Sequence, residues 1–171
     1  MINKIIRVCV LLIAVSFNVT ANHNLTSTSE KNTQQRINEV LDSFHQAAGQ
    51  ADATRYLALL TPNAVFLGTD ASERWNKAQF SEFVTPHFTR GDGWLYQSVE
   101  RNITLLANAD VAYFDELLTN DSYGLCRGSG VLMKTSNGWK IAQYSLSVPL
   151  PNPIAKQLIE QIKVFKGKEN E

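Results

Sequence analysis

The stretch AYFDELLTNDSYGLCRGSG (Ala112–Gly130) decides how this chain is read. Apolar residues run up to Asn120-Asp121, a pair of turn formers, and resume beyond it, so the segment predicts a β-hairpin. Asp115, Glu116 and Arg127 interrupt it. A buried carboxylate or guanidinium is costly unless it is paired. These residues therefore either brace the sheet or line a pocket.

Outward from the hairpin, the strand-like period extends in both directions. Trp94–Leu106, Ala109–Thr119, Ser122–Thr135 and Trp139–Val148 are four long strand candidates. Their connections, Ala107-Asn108, Asn120-Asp121 and Ser136-Asn137-Gly138, are short and rich in turn formers, which predicts an antiparallel meander. Upstream the period is helical. Ile37, Val40, Leu41, Phe44 and Ala48 form one stripe, closed by Gly49. Asp52 caps a short helix carrying Tyr56, Leu57 and Leu60, stopped by Thr61-Pro62. Ala64–Leu67 reads as a brief strand that turns at Gly68-Thr69-Asp70. Asn76 and Gln79 read as a capping box that opens a helix with Phe80, Phe83, Val84, His87 and Phe88 on one face. Asn152-Pro153 fits the start of a final helix running to about Phe165. Helices followed by a curved antiparallel sheet give an α+β domain with the helices on one sheet face.

The amino terminus is of another kind. Lys4 and Arg7 precede the apolar run Val8–Phe17, and Val19-Thr20-Ala21 places small residues for cleavage, the pattern of a secretory signal peptide over residues 1–21. Residues 22–32 are polar and read as a flexible leader. Residues 33–150 then form the domain, and 151–171 a carboxy-terminal helix and tail. The whole chain carries 16 basic and 16 acidic residues. Removing Lys4 and Arg7 leaves 14 basic against 16 acidic, a net charge of −2. That balance favours neither nucleic acid nor, after cleavage, a membrane surface. Cleavage also removes Cys9 and leaves Cys126 alone, so no internal disulfide is expected despite export. Three histidines without ligand spacing predict no metal site, and no cofactor motif is present.

With two-residue turns, strand alternation sorts the sheet into two faces. Leu95, Val99, Ile103, Ala112, Phe114, Leu118, Leu125, Val131, Met133, Ala142, Tyr144 and Leu146 fall on one. Gln97, Arg101, Glu116, Arg127 and Ser129 are set among them. Trp94, Tyr96, Glu100, Asn102, Tyr113, Asp115, Cys126, Lys134, Trp139 and Gln143 fall on the other. Glu100 then opposes Asp115, and like charges directly opposed disfavour burial. The first face is therefore expected under the helices, with Glu116 one diagonal step from both Arg101 and Arg127. A three-residue turn at Ser136–Gly138 would instead turn Trp139 inward. His87 stands on the apolar stripe of its helix, and His45 lies at the edge of the first helix's stripe. The Gly-Ser-Gly at 128–130 reads as close packing or a bulge.

The residues Ala64–Gly68 with Thr69-Asp70, Glu73-Arg74-Trp75, Gly93-Trp94, Phe114-Asp115-Glu116, Cys126-Arg127-Gly128-Ser129-Gly130 and Gly138-Trp139-Lys140-Ile141 resemble the nuclear transport factor 2-like superfamily, and within it SnoaL-like proteins. The resemblance covers roughly Ile37–Val148. It implies a cone-shaped fold with a pocket between helices and sheet, and puts Trp75 on the pocket rim. It does not fix activity, because the superfamily holds isomerases, dehydratases, cyclases, hydrolases and binding modules. Three readings follow. The first is an exported domain that binds a small, largely apolar ligand with an anionic or carbonyl group; Arg127, Arg101, Tyr144, Trp75 and Ser129 would contact it. The second is an acid–base enzyme of isomerase, dehydratase or cyclase type in the same pocket, with Glu116 and His87 as proton carriers. Two nearby arginines would lower the Glu116 pKa, which argues against it as a base near neutral pH. The third is a homodimerisation module that pairs through Trp94, Tyr96, Tyr113, Trp139 and Ile141 on the outer sheet face.

Overall fold

The computed structural model describes residues 28–107 and 110–169. The signal-peptide segment and residues 22–27 of the leader lie outside them, while residues 28–32 are already helical. Helix α1 (residues 28–49) buries Ile37, Leu41, Phe44, Ala47 and Ala48, the stripe expected from helical spacing. Gly49 is its last residue, as expected, and the turn beyond it is closed by Ala51, which adopts φ 55° while the Asp52 amide donates back to the Ala47 carbonyl. Helix α2 (Ala53–Ala58) is capped by Asp52, whose carboxylate accepts from the Arg55 amide.

Strand β1 (Leu60–Leu67) starts four residues earlier than expected, and the three-residue β2 (Arg74–Asn76) pairs with it. Helix α3 (Lys77–Thr89) opens on the capping box between Asn76 and Gln79 and buries Phe80, Val84 and Phe88. Strands β3 (Gln97–Leu105), β4 (Val111–Asn120), β5 (Gly124–Thr135) and β6 (Gly138–Ser147) form the meander. The sheet order is β2-β1-β6-β5-β4-β3, and β1 joins β6 in parallel, the only parallel pairing among the described strands. Helix α4 (Asn152–Glu169) follows the irregular Val148–Pro151. The fold is the α+β arrangement expected, with helices over one face of a six-stranded sheet.

The faces differ from the two-residue-turn reading. Asn120 pairs with Gly124, so three residues form the β4–β5 turn and every β5 side chain changes face. Cys126 and Leu132 are therefore buried, whereas Leu125, Arg127 and Met133 are exposed. The β5–β6 ladder shifts by one between Val131 and Leu132. That bulge lets Trp139 and Ile141 point inward on one side of it and Tyr144 on the other. Arg101 lies directly opposite Glu116 rather than diagonally, and Asn102, not Glu100, opposes Asp115.

Candidate functional site

Glu116, 1 % exposed, is the charged residue most deeply set in the core. Strand β4 points it inward between Phe114 and Leu118, and three elements supply its partners. From α1, His45 Nε2 lies 2.8 Å from Oε1. From β6, the Tyr144 hydroxyl donates to the same oxygen at 3.0 Å. From β3, Arg101 Nε donates to Oε2 at 2.8 Å. Arg101 Nη1 in turn donates to Asp42 at 2.8 Å and to the Asn38 side chain at 3.0 Å. Gly128 faces Glu116 across the β4–β5 ladder, where a Cβ would run into the Tyr144 hydroxyl and come within 2.9 Å of Glu116 Oε1. The glycine leaves room for the cluster, which is the close packing expected of Gly-Ser-Gly.

Burial alone would push the Glu116 carboxyl up, but the hydrogen bond and charge of His45 and the charge and hydrogen bond of Arg101 outweigh it and hold the group below its ordinary value. Glu116 is therefore an ionised, acceptor-only carboxylate, which requires that His45 Nε2 carry a proton. Burial and the adjacent Glu116 charge push the Tyr144 phenol well up, so it stays a donor.

Beside this cluster lies a cavity of about 190 Å³. Its walls are mainly aromatic, with Phe44, Tyr56, Phe66, Phe80 and Tyr144 inside and Trp75, Phe83 and Tyr123 near the exposed mouth. Phe66 stacks on both Phe80 (4.1 Å) and Tyr144 (5.5 Å), and Trp75 stacks on Phe83 (4.8 Å). His45 and Tyr96 also line it, their rings 6.5 Å apart. His45 Nδ1 and the Tyr96 hydroxyl have no hydrogen-bond partner among the described residues. Burial, with smaller effects of Cys126, Tyr123 and Glu73, pushes the Tyr96 phenol up to about 12.

Of the residues singled out in the sequence, Tyr144 and Trp75 line the cavity, and Arg101 and Glu116 stand behind His45 and Tyr144 rather than in the wall. Arg127 and Ser129 are on the far face, because the three-residue turn inverts β5. His87 is not in the wall either. It packs against Phe83 and Trp94, and its Nδ1 lies 3.1 Å from Arg90 Nη2. Glu116 is not flanked by two arginines, since Arg127 is outside and Arg101 is shared by two carboxylates, Glu116 and Asp42. Sequence reasoning passed over His45, Asn38 and Asp42 as cluster members. Their signal was present: at i, i+4 and i+7 they form a polar stripe beside the apolar face of α1. Among the described residues no group of three or more His, Cys, Asp or Glu is placed to hold a metal.

The model of the SnoaL-like domain family matches residues 37–151, well over half of the chain. The chain belongs to that family. Solved structures agree on the fold of this SnoaL-like domain. An NTF2-like protein of unknown function from Pseudomonas putida superposes with a TM-score of 0.61 at 12% identity, covering 71% of this chain and 90% of its own. A candidate dehydratase of the NTF2-like family from Streptomyces avermitilis gives 0.61 at 12%, covering 71% and 99%. A candidate aromatic ring hydroxylase from Novosphingobium aromaticivorans gives 0.57 at 19%, covering 70% and 91%. At these identities the likeness is one of fold alone. No curated protein matches the sequence.

Proposed function

We propose that this SnoaL-like domain is exported, takes a small, largely apolar carbonyl compound into the aromatic cavity, and moves a proton on it through His45. The observation that carries the reading is the 2.8 Å contact of His45 Nε2 with Glu116. An ionised carboxylate keeps the proton on Nε2, so a neutral ring leaves Nδ1 as a lone pair beside the cavity. Nδ1 accepts a proton from the carbon next to the ligand carbonyl, and the electron pair moves onto the carbonyl oxygen. Tyr96, whose hydroxyl is free to donate, stabilises that oxygen. In a β,γ-unsaturated carbonyl compound His45 returns the proton to the γ-carbon, which completes an isomerisation. In a β-hydroxy carbonyl compound it gives the proton to the β-hydroxyl, which leaves as water as the enolate collapses and completes a dehydration. Glu116 orients the histidine and stabilises the imidazolium that forms on proton uptake, and does not itself carry the proton. The Tyr96 phenol thus takes over the ligand contact first expected of Arg101 and Arg127. The candidate dehydratase of the same fold is compatible with such chemistry.

Native mass spectrometry of the mature protein from its own host tests the reading. A bound neutral carbonyl or hydroxyl compound that leaves on denaturation supports it, and its loss in His45→Gln with the fold intact assigns the contact. A ligand retained equally by His45→Gln, or one without a carbonyl or hydroxyl oxygen, defeats it.

Pairing of two copies is a second proposal, on altered residues. Trp94 and Tyr96 belong to the cavity, and Trp139 and Ile141 are buried beneath the helices, so Tyr113 alone of the expected interface is on the outer face. Its neighbours there are Val131, directly opposite, and the exposed Met133, one diagonal step away, both moved outward by the inverted β5. Tyr113→Ala converts dimer to monomer in sedimentation if this face pairs subunits.

A further inference from the structure

A second groove, of about 390 Å³, opens on a different face of α1 from the aromatic cavity and shares no lining residue with it. Arg36, Glu39, Val40 and Ser43 line it from the helix at i, i+3, i+4 and i+7. Lys134, Trp139 and Lys140 line it from around the β5–β6 turn. Val40 and Leu59, both packed against the core, supply its apolar surface.

The polar groups of this groove are mainly donors without acceptors. Trp139 is 6 % exposed, yet its indole N–H has no hydrogen-bond partner among the described residues. The unpaired side-chain atoms shut off from solvent there are Arg55 Nε and Arg101 Nη2, so the Trp139 N–H is open to the groove that its ring lines. An indole nitrogen can only donate. Arg36 and Lys140 have no ion pair among the described residues. Lys140 Nζ gives one of its N–H donors to the Ala58 carbonyl at 2.7 Å and keeps the others. Lys134 pairs with Asp110 at 3.5 Å, and the Glu39 carboxylate accepts from Gln35. Arg36, Lys134 and Lys140 against Glu39 and Asp110 leave one positive charge uncompensated, in a chain whose formal net charge is zero.

We propose that this groove is a second small-molecule site, for an organic carboxylate whose ring or short chain lies on Val40 and Leu59. The Arg36 guanidinium and the Lys140 ammonium hold the carboxylate, and Trp139 Nε1–H donates to one of its oxygens. A monoanion matches the single uncompensated charge, whereas a phosphate dianion brings excess negative charge against Glu39. The site is separate from the aromatic cavity, so it stands or falls independently of the proton transfer at His45.

Two-dimensional NMR of the isotope-labelled protein tests this, because Trp139 lines the groove while Trp75 and Trp94 line the aromatic cavity. On titration with sodium benzoate the Trp139 indole N–H resonance is expected to move saturably. Benzamide, neutral and of the same shape, should leave it in place. Arg36→Gln and Lys140→Gln should each weaken benzoate binding about tenfold. Arg36 is exposed, so its variant should keep the parent's unfolding midpoint. A Trp139 resonance that does not respond to benzoate overturns the site, as does an equal response to benzamide or to sodium chloride. Movement of Trp75 and Trp94 without Trp139 places benzoate in the aromatic cavity and equally overturns it. Benzoate bound by both variants as tightly as by the parent removes the assigned contacts and the proposal with them. Tighter binding of inorganic phosphate than of benzoate overturns the carboxylate assignment.

Discussion

His45 Nε2 and the Tyr144 hydroxyl converge on a single oxygen, Oε1 of Glu116, at 2.8 and 3.0 Å, while Arg101 occupies Oε2. One carboxylate thereby ties α1, β3, β4 and β6 together in the core. It also fixes the ring of the histidine that lines the cavity. Stability and site geometry depend on the same group.

Glu116→Gln tests that dependence. The amide oxygen can still accept from His45 and Tyr144, but its NH₂ then faces the Arg101 Nε–H, donor against donor. Breaking a buried pair from one side typically costs about 3–5 kcal/mol. We expect a loss of that order in urea unfolding, together with weaker ligand retention. An unfolding midpoint equal to the parent's would mean that the cluster braces nothing.

The pH dependence follows from the sign of the Glu116 shift. Its folded value is lowered, by His45 and Arg101 against burial, so the unfolded chain binds its proton first as pH falls. The stabilisation is fully present above the unfolded carboxylate value, about 4.3. It is lost as pH falls through the lower folded value. Urea midpoints should therefore drop below about pH 4.3 in the parent, and the drop should be smaller in Glu116→Gln. Equal slopes in both proteins would place the acid sensitivity elsewhere.

The two arginines expected to flank Glu116 together should part in experiment. Arg127 is exposed on the outer face, so Arg127→Ala is expected to stay within about 0.5 kcal/mol of the parent. Arg101→Ala leaves Glu116 with an uncompensated buried charge and should cost about 3–5 kcal/mol. Equal effects in thermal or urea unfolding would contradict the inward placement of Arg101 alone.

How much of this was legible in the sequence depended on turn length more than on residue type. The helix stripes, the Asn76–Gln79 box and the meander announce themselves through periodicity and capping chemistry, which are local. Asn120-Asp121-Ser122-Tyr123-Gly124 does not reveal whether two or three residues form the turn, and one residue inverts a strand. Arg127 and Ser129 were misplaced for that reason. Tyr144 reached the inner face only because the bulge at Val131/Leu132 offsets the inversion. The polar stripe of Asn38, Asp42 and His45 marks His45 in the sequence, but its pairing with Glu116 in place of His87 depends on which helix crosses β4 there, a long-range relation.

Gly128 offers the sharpest test of the cluster's geometry. A methyl group there meets the Tyr144 hydroxyl and lies 2.9 Å from Glu116 Oε1, so Gly128→Ala must displace one of them. Overpacking of this kind costs about 1–3 kcal/mol. Tyr144→Phe removes the atom that obstructs the methyl, and with it one hydrogen bond to Glu116. The double variant Gly128→Ala/Tyr144→Phe should therefore be less destabilised than the sum of the singles, by an interaction of roughly 0.5–3 kcal/mol. Strict additivity in a double-mutant cycle would mean that residue 128 and Tyr144 do not meet, and the register that places Gly128 opposite Glu116 would have to be abandoned.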